Sequence, residues 1–155
     1  MLMNKQKNSE SWLPWLLVSI ILLLAGILRF QAINLTIVDN PIRADARNYY
    51  FSALNLERWG VFSHAEPSNI APAPDAFAQP GLPYLIKQFI VFPPTEQMLV
   101  AINQVQAWMG IATVLLCFLF FKGFASHRIA LWAAFFTAIS PNLVVMTTYL
   151  LSNHA

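Results

Sequence analysis

Charge is scarce in this chain. Only 10% of its 155 residues are Asp, Glu, Lys or Arg, against roughly 25% in soluble domains, while 57% are hydrophobic. A water-soluble protein of this length buries too small a share of its surface to hide that much apolar material, so a bilayer is expected to take the excess. Cysteine is scarcer still. Cys117 stands alone inside an apolar run, which excludes an intrachain disulfide and a thiolate metal cluster and leaves a small buried hydrophobe. A glycine-rich phosphate loop, a Walker pattern, a Ser/His/Asp arrangement and zinc-ligand spacing are all missing, as are internal repeats and low-complexity tracts. The net charge of +2 is dispersed and gives no footprint for nucleic acid.

In place of charge the chain has three apolar runs. The first, residues 12–30, carries no charge before Arg29 and as a helix would reach about 28 Å, close to the hydrocarbon thickness of a bilayer. Lys5 and Lys7 ahead of it suit a signal peptide, but the run exceeds the roughly 7–15 residues of a signal core and no small-x-small cleavage site follows. The second run, residues 98–121, starts weakly, with Asn103, Gln104 and Gln106, and becomes almost purely apolar from Trp108 onward. The third, residues 129–151, is interrupted by Ser140-Pro141-Asn142. A proline there kinks a helix and frees a carbonyl, which neighbouring helices or water must satisfy.

Lys5 and Lys7 before the first run, and Lys122 and Arg128 around the turn at 122–128, put those segments in the cytoplasm by the positive-inside rule. Residues 1–11 are then cytoplasmic, and residues 31–97 and 152–155 lie outside. The expected fold is an all-α, multi-pass protein of the inner (plasma) membrane: three transmembrane helices and a long outer loop containing two short interfacial helices.

Within that loop, residues 45–59 read as a helix. Ala46, Tyr49, Tyr50, Ala53 and Leu54 recur at helical spacing to make an apolar face, and Asp45, Asn48, Ser52 and Asn55 form a polar stripe beside it. Gly60 sits where a C-terminal cap belongs. An amphipathic helix beside a span is expected along the membrane surface. The proline- and alanine-rich stretch 63–79 reads as irregular loop. A second short helix is expected over 80–92, opened by Pro80 and Pro83 and closed by Pro93-Pro94, with Thr95 able to cap the next helix.

Asp45 is the foremost candidate for chemistry. As a carboxylate at a helix start it serves as a cap and complements the dipole; as a functional group it would be a general base or metal ligand. Arg29, near the end of a span, is expected to snorkel to the interface, or else to meet a lipid phosphate or a loop carboxylate. Tyr49, Tyr50 and Trp59 read as interfacial anchors, with sugar stacking as the alternative. His64 and Glu66 read as solvated, two candidate metal ligands being too few. His127, Asn153 and His154 read as hydrated.

The order of these features resembles the N-terminal part of the GT-C type membrane glycosyltransferases, nearest the protein mannosyltransferase and lipid A aminoarabinose transferase group. The residues that carry it are Leu28-Arg29-Phe30 at the end of the first span and Ala44-Asp45-Ala46-Arg47-Asn48-Tyr49-Tyr50 heading a helix that closes on Glu57-Arg58-Trp59-Gly60-Val61-Phe62. After these come Gln79-Pro80-Gly81-Leu82-Pro83-Tyr84, Ala138-Ile139-Ser140-Pro141 and Tyr149-Leu150-Leu151-Ser152-Asn153. The resemblance implies transfer of a sugar from a polyprenyl-phosphate donor to an acceptor at the outer membrane face. It casts Asp45 as the carboxylate that activates the acceptor and Arg29, Arg47 and Arg58 as cations for the phosphate, with Tyr49 beside them in binding substrate. Ala46 stands where many members have a second acidic residue, and Asn153 where many have a glutamate. No metal ligand set is therefore assigned, and the cofactor is left open.

Family members have many more spans, so the chain is expected to be either a fragment of a larger enzyme or a truncated product, too short to be active alone. Its expected partners are membrane lipid, the polyprenyl-phosphate-linked sugar, and the remainder of the enzyme or a partner membrane subunit. The competing readings are a small non-catalytic membrane subunit or assembly protein and a piece of a transporter. The lack of an intramembrane carboxylate counts against the last.

Overall fold

The computed structural model describes residues 12–36, 42–43, 45–77 and 79–148. Lys5, Lys7, Asp39, Ala44 and the terminal Tyr149 to Asn153 motif, with His154, lie outside the described residues. Six helices follow in order: α1 Leu13–Leu35, α2 Asp45–Trp59, α3 Gly81–Lys87, α4 Glu96–Phe124, α5 His127–Ile139 and α6 Pro141–Val145. There is no strand among the described residues. The chain divides into two compact units, one holding α1, α5, α6 and α4 from residue 106 onward, the other holding α2, α3 and the first turns of α4.

In the first unit α1 and α4 are both long and apolar enough to cross a membrane, and only 17% of the most apolar stretch of each is buried. A helix serving as the core of a soluble domain would be mostly covered. Here Ile20, Leu23 and Ile27 of α1, Leu116 and Phe120 of α4, and Trp132 and Phe136 of α5 are exposed, more apolar surface than a soluble monomer normally shows. Both helices outrun their expected limits. α1 continues through Gln31–Leu35 because nothing there breaks it, and α4 starts at Glu96, where the Thr95 hydroxyl accepts the Met98 N–H at 3.2 Å.

Small residues let these helices approach. Ala130, Ala134 and Ala138 form one stripe of α5 and pack with Ala25, Val18, Val114 and Phe118, the kind of close backbone contact that holds membrane helices together. Trp15 meets Phe118 and Phe30 meets Trp108, each pair edge-on at 5.7 Å, so α4 runs antiparallel to α1. The Arg29–Ala138 contact described below, with Leu17 and Arg128 lining one groove, makes α5 parallel to α1. Cys117 is half-buried, 3.4 Å from the Thr137 hydroxyl.

The third apolar run differs from its expected form. Where a single kinked helix over 129–151 is expected, α5 stops at Ile139 and α6 restarts with Pro141 as its first residue. Pro141 has no N–H to give, and its ring collides with the carbonyl four residues back. At 13 residues α5 spans about 20 Å, short of the hydrocarbon thickness.

In the second unit, α2 turns Ala46, Tyr50, Ala53 and Leu54 into a core completed by Ile86 of α3 and Met98 and Ile102 of α4. The apolar face thus packs on protein, which by itself accounts for the amphipathic pattern. Gly60 ends α2 with φ +68°, a left-handed conformation that glycine adopts without strain, and its N–H closes on Leu56 O at 3.2 Å. α3 is shorter than the expected 80–92. It ends at Lys87, and tight turns bring the Phe89 N–H to Ile86 O at 2.9 Å. Lys87 ties α3 to α2, donating to Leu56 O at 3.3 Å and lying 3.5 Å from the Glu57 carboxylate.

Candidate functional site

Helix α2 carries four of the five candidate residues on two faces, Asp45 with Tyr49 on one and Arg47 with Arg58 on the other. Asp45 is its first residue and half-buried. Among the described residues no hydrogen bond or ion pair engages its carboxylate. Tyr49 is half-buried and packed against the core. Arg47 is exposed, paired with Glu66, and holds its guanidinium 5.1 Å above the Phe51 ring. Arg58 stacks over Phe92 at 4.8 Å. It lies about 20 Å along the helix axis from Asp45, so the two do not meet on one small chemical group.

The polar stripe of α2 divides into two halves with different work. Ser52 and Asn55 are fully buried. The Asn55 amide donates to Ser63 O at 2.8 Å and to Ala65 O at 2.9 Å, and so straps the irregular segment onto the helix. Asn48, one turn after Asp45, stays at the edge of the strapped segment. With Arg47, Phe51, His64, Ala65 and Glu66 it lines a recess of about 270 Å³. The recess offers a guanidinium paired with the Glu66 carboxylate, an amide, an imidazole and an aromatic wall, a set suited to a polar ligand with hydroxyl groups.

The segment beside it is held by Asp75, which the sequence did not single out. Its Oδ2 accepts from the Ser63 hydroxyl at 2.8 Å and the His64 N–H at 3.0 Å and lies 2.8 Å from His64 Nδ1. Oδ1 accepts the Phe77 N–H at 3.1 Å. Desolvation works to raise this carboxyl. The bonds from the Phe77 N–H, the Ser63 hydroxyl, and the N–H and ring of His64 outweigh it and hold the pKa at about 2. His64, expected to be solvated, is stacked on Phe77 at 4.5 Å and fixed by Asp75. Both Ser63 Oγ and His64 Nδ1 converge on the same carboxylate oxygen, so this is an anchoring cluster rather than a nucleophile–base relay. A sequence signal existed: an Asp whose side chain bonds the N–H two residues on is a familiar turn, and Pro72 and Pro74 mark the turn region.

Two expectations are corrected here. Tyr50, read as an interfacial anchor, is 1% exposed and donates its hydroxyl to Val91 O at 2.7 Å. Burial raises its phenol pKa, with Arg58 opposing, so it stays a neutral donor. Arg29, expected to snorkel, turns inward in the first unit and is also 1% exposed. Its Nη1 donates to Ala25 O at 3.1 Å and Ala138 O at 3.3 Å. Ala138 lies in the last turn of α5, whose carbonyls lack intrahelical donors and where a cation is favoured. Arg29 therefore satisfies part of the break that Pro141 creates. Gly110 of α4 gives it room, since a Cβ there would collide with the guanidinium.

No group of three or more His, Cys, Asp or Glu gathers at metal-binding distance among the described residues. Comparison with protein-family models, with curated proteins and with solved structures gives no match.

Proposed function

We propose that this chain is the N-terminal portion of a multi-pass membrane glycosyltransferase, with α1 and α4 crossing the bilayer, the α5–α6 segment forming a broken third span, and the α2–α3 unit on the outer face. The observation that carries the reading is Asp45. It is a half-buried carboxylate at the head of a surface helix, unengaged among the described residues, one turn ahead of Asn48 and the polar recess. Among the described residues of the loop, several acidic and basic side chains are tied up, as in Arg47–Glu66, Lys87–Glu57 and His64–Asp75. The order of motifs resembling GT-C enzymes supports the same reading.

In the proposed reaction an acceptor hydroxyl or amine attacks the anomeric carbon of a polyprenyl-phosphate-linked sugar. The bond from that carbon to the phosphate oxygen breaks, and the phosphate leaves with the electron pair. Asp45 takes the proton the acceptor loses. Arg47 borders the recess and is the cation best placed beside it, by exchanging Glu66 for phosphate. Arg29 is committed to Ala25 and Ala138, which leaves it a positioning part.

The test uses membranes from cells expressing the intact reading frame that contains this chain, supplied with polyprenyl phosphate charged with radiolabelled mannose or aminoarabinose. Label transferred to an acceptor by the wild type and lost in Asp45→Asn supports the reading. No transfer by the wild type from either donor, with a stable complex recovered around the chain instead, would favour a non-catalytic membrane subunit.

A further inference from the structure

A second concave surface lies between α1 and α5 within the first unit. Leu17, Ile20 and Leu24 of α1 face Leu131, Trp132 and Phe135 of α5 across a groove of about 430 Å³, and Arg128 closes one end. That volume lies in the range of small-molecule pockets. The lining is apolar except at Arg128, which is exposed.

Among the described residues, charge at this end has one sign. Lys122 projects over the Trp15 ring at 3.9 Å, and His127 and Arg128 open α5. The described residues of this unit include no Asp or Glu at all. A counter-charge for Arg128 among them is therefore ruled out by composition.

The lining also separates two kinds of apolar occupant. Helix partners in membranes favour Gly, Ala, Ser and Thr at the contact, so that backbones approach closely. The small stripe of α5, Ala130, Ala134 and Ala138, is already spent on the unit's own core. The groove is built instead from branched and aromatic side chains, which hold another backbone away and leave a channel for a flexible chain.

Resting on the membrane-spanning reading above, we propose that this groove binds an anionic glycerophospholipid, with one acyl chain along α1 and α5 and its phosphate paired with Arg128. By the positive-inside reading the Arg128 end faces the cytoplasmic leaflet, where anionic lipid collects. The site is therefore separate from any outward-facing sugar chemistry.

The experiment is native mass spectrometry of the detergent-purified chain with equimolar phosphatidylglycerol and phosphatidylcholine of matched acyl chains. The wild type is expected to retain phosphatidylglycerol preferentially. Arg128→Gln lowers that preference about fivefold, the worth of one basic residue at a membrane surface, and Arg128→Lys keeps most of it. Ile20→Trp, which fills the groove from an exposed position, loses both lipids. Equal retention of the two lipids by the wild type, or an unchanged ratio in Arg128→Gln, overturns the proposal. So does displacement of the bound lipid by inorganic phosphate, or a dimer that binds no lipid. Carbonate extraction keeps the two readings apart. Release of the wild type from membranes would sink the membrane reading itself, whereas a chain that resists extraction and shows no lipid preference sinks only the groove.

Discussion

Single side chains decide much of what is ordered outside the apolar helices. Asn55 supplies both amide hydrogens to backbone carbonyls of the loop. Asn55→Ala leaves the buried Ser63 carbonyl unpaired, and a loss of about 1–3 kcal/mol is expected, seen as faster proteolysis within 63–79. Cleavage at the wild-type rate would contradict the strap. Arg29 and Gly110 form a matched pair. Gly110→Ala should cost about 1–3 kcal/mol, as overpacking does, and should cost almost nothing in an Arg29→Ala background, where the collision is gone. Thermal unfolding of the four proteins in detergent gives this cycle, and additive losses would contradict the pairing. At this scale the sequence was a partial guide. A charge beside an apolar run favours snorkelling when only its distance from the span end is known. The inward turn of Arg29 depends on a glycine about 80 positions away and on a helix end created by Pro141, and neither contact is local.

At the scale of elements, the bounds of helix α2 were legible, though not the burial of Tyr50 within it. Its apolar positions, its leading Asp45 and its closing Gly60 all act within a few residues, and the helix spans Asp45–Trp59. α3 was overextended because an apolar composition does not show where turns tighten. The described residues of the 63–79 segment include no helix or strand, as its prolines imply, yet they are held by a carboxylate. Asp75 sits at about pKa 2 against an ordinary 3.8. A depressed carboxyl contributes stability fully above its unfolded value and loses it as pH falls toward the folded one. Hydrogen-exchange protection of the His64 and Phe77 amides, corrected for intrinsic rates, should therefore hold above pH about 4 and decay toward pH about 2. In Asp75→Asn it should be low at every pH. Protection in the wild type that persists unchanged through pH 2 would contradict the anchoring role.

For the whole molecule, composition carried the main inference. Two helices have the length and apolarity to cross a bilayer, and their exposed faces form more apolar surface than a soluble monomer normally shows. The third run could not be resolved by hydropathy alone, because hydropathy averages over Pro141 while the backbone breaks there. The functional reading rests on a resemblance in motif order, and its chemical weight falls on one carboxylate. The most direct measurement is the transfer rate of Asp45→Asn beside wild type, in membranes holding the intact reading frame, with expression matched by immunoblot. A positioned general base is worth about 100-fold or more. The account predicts a loss of at least that size, with lipid retention and amide protection unchanged. Turnover within about twofold of wild type would contradict it, and would leave Asp45 as no more than a carboxylate that complements the dipole of α2.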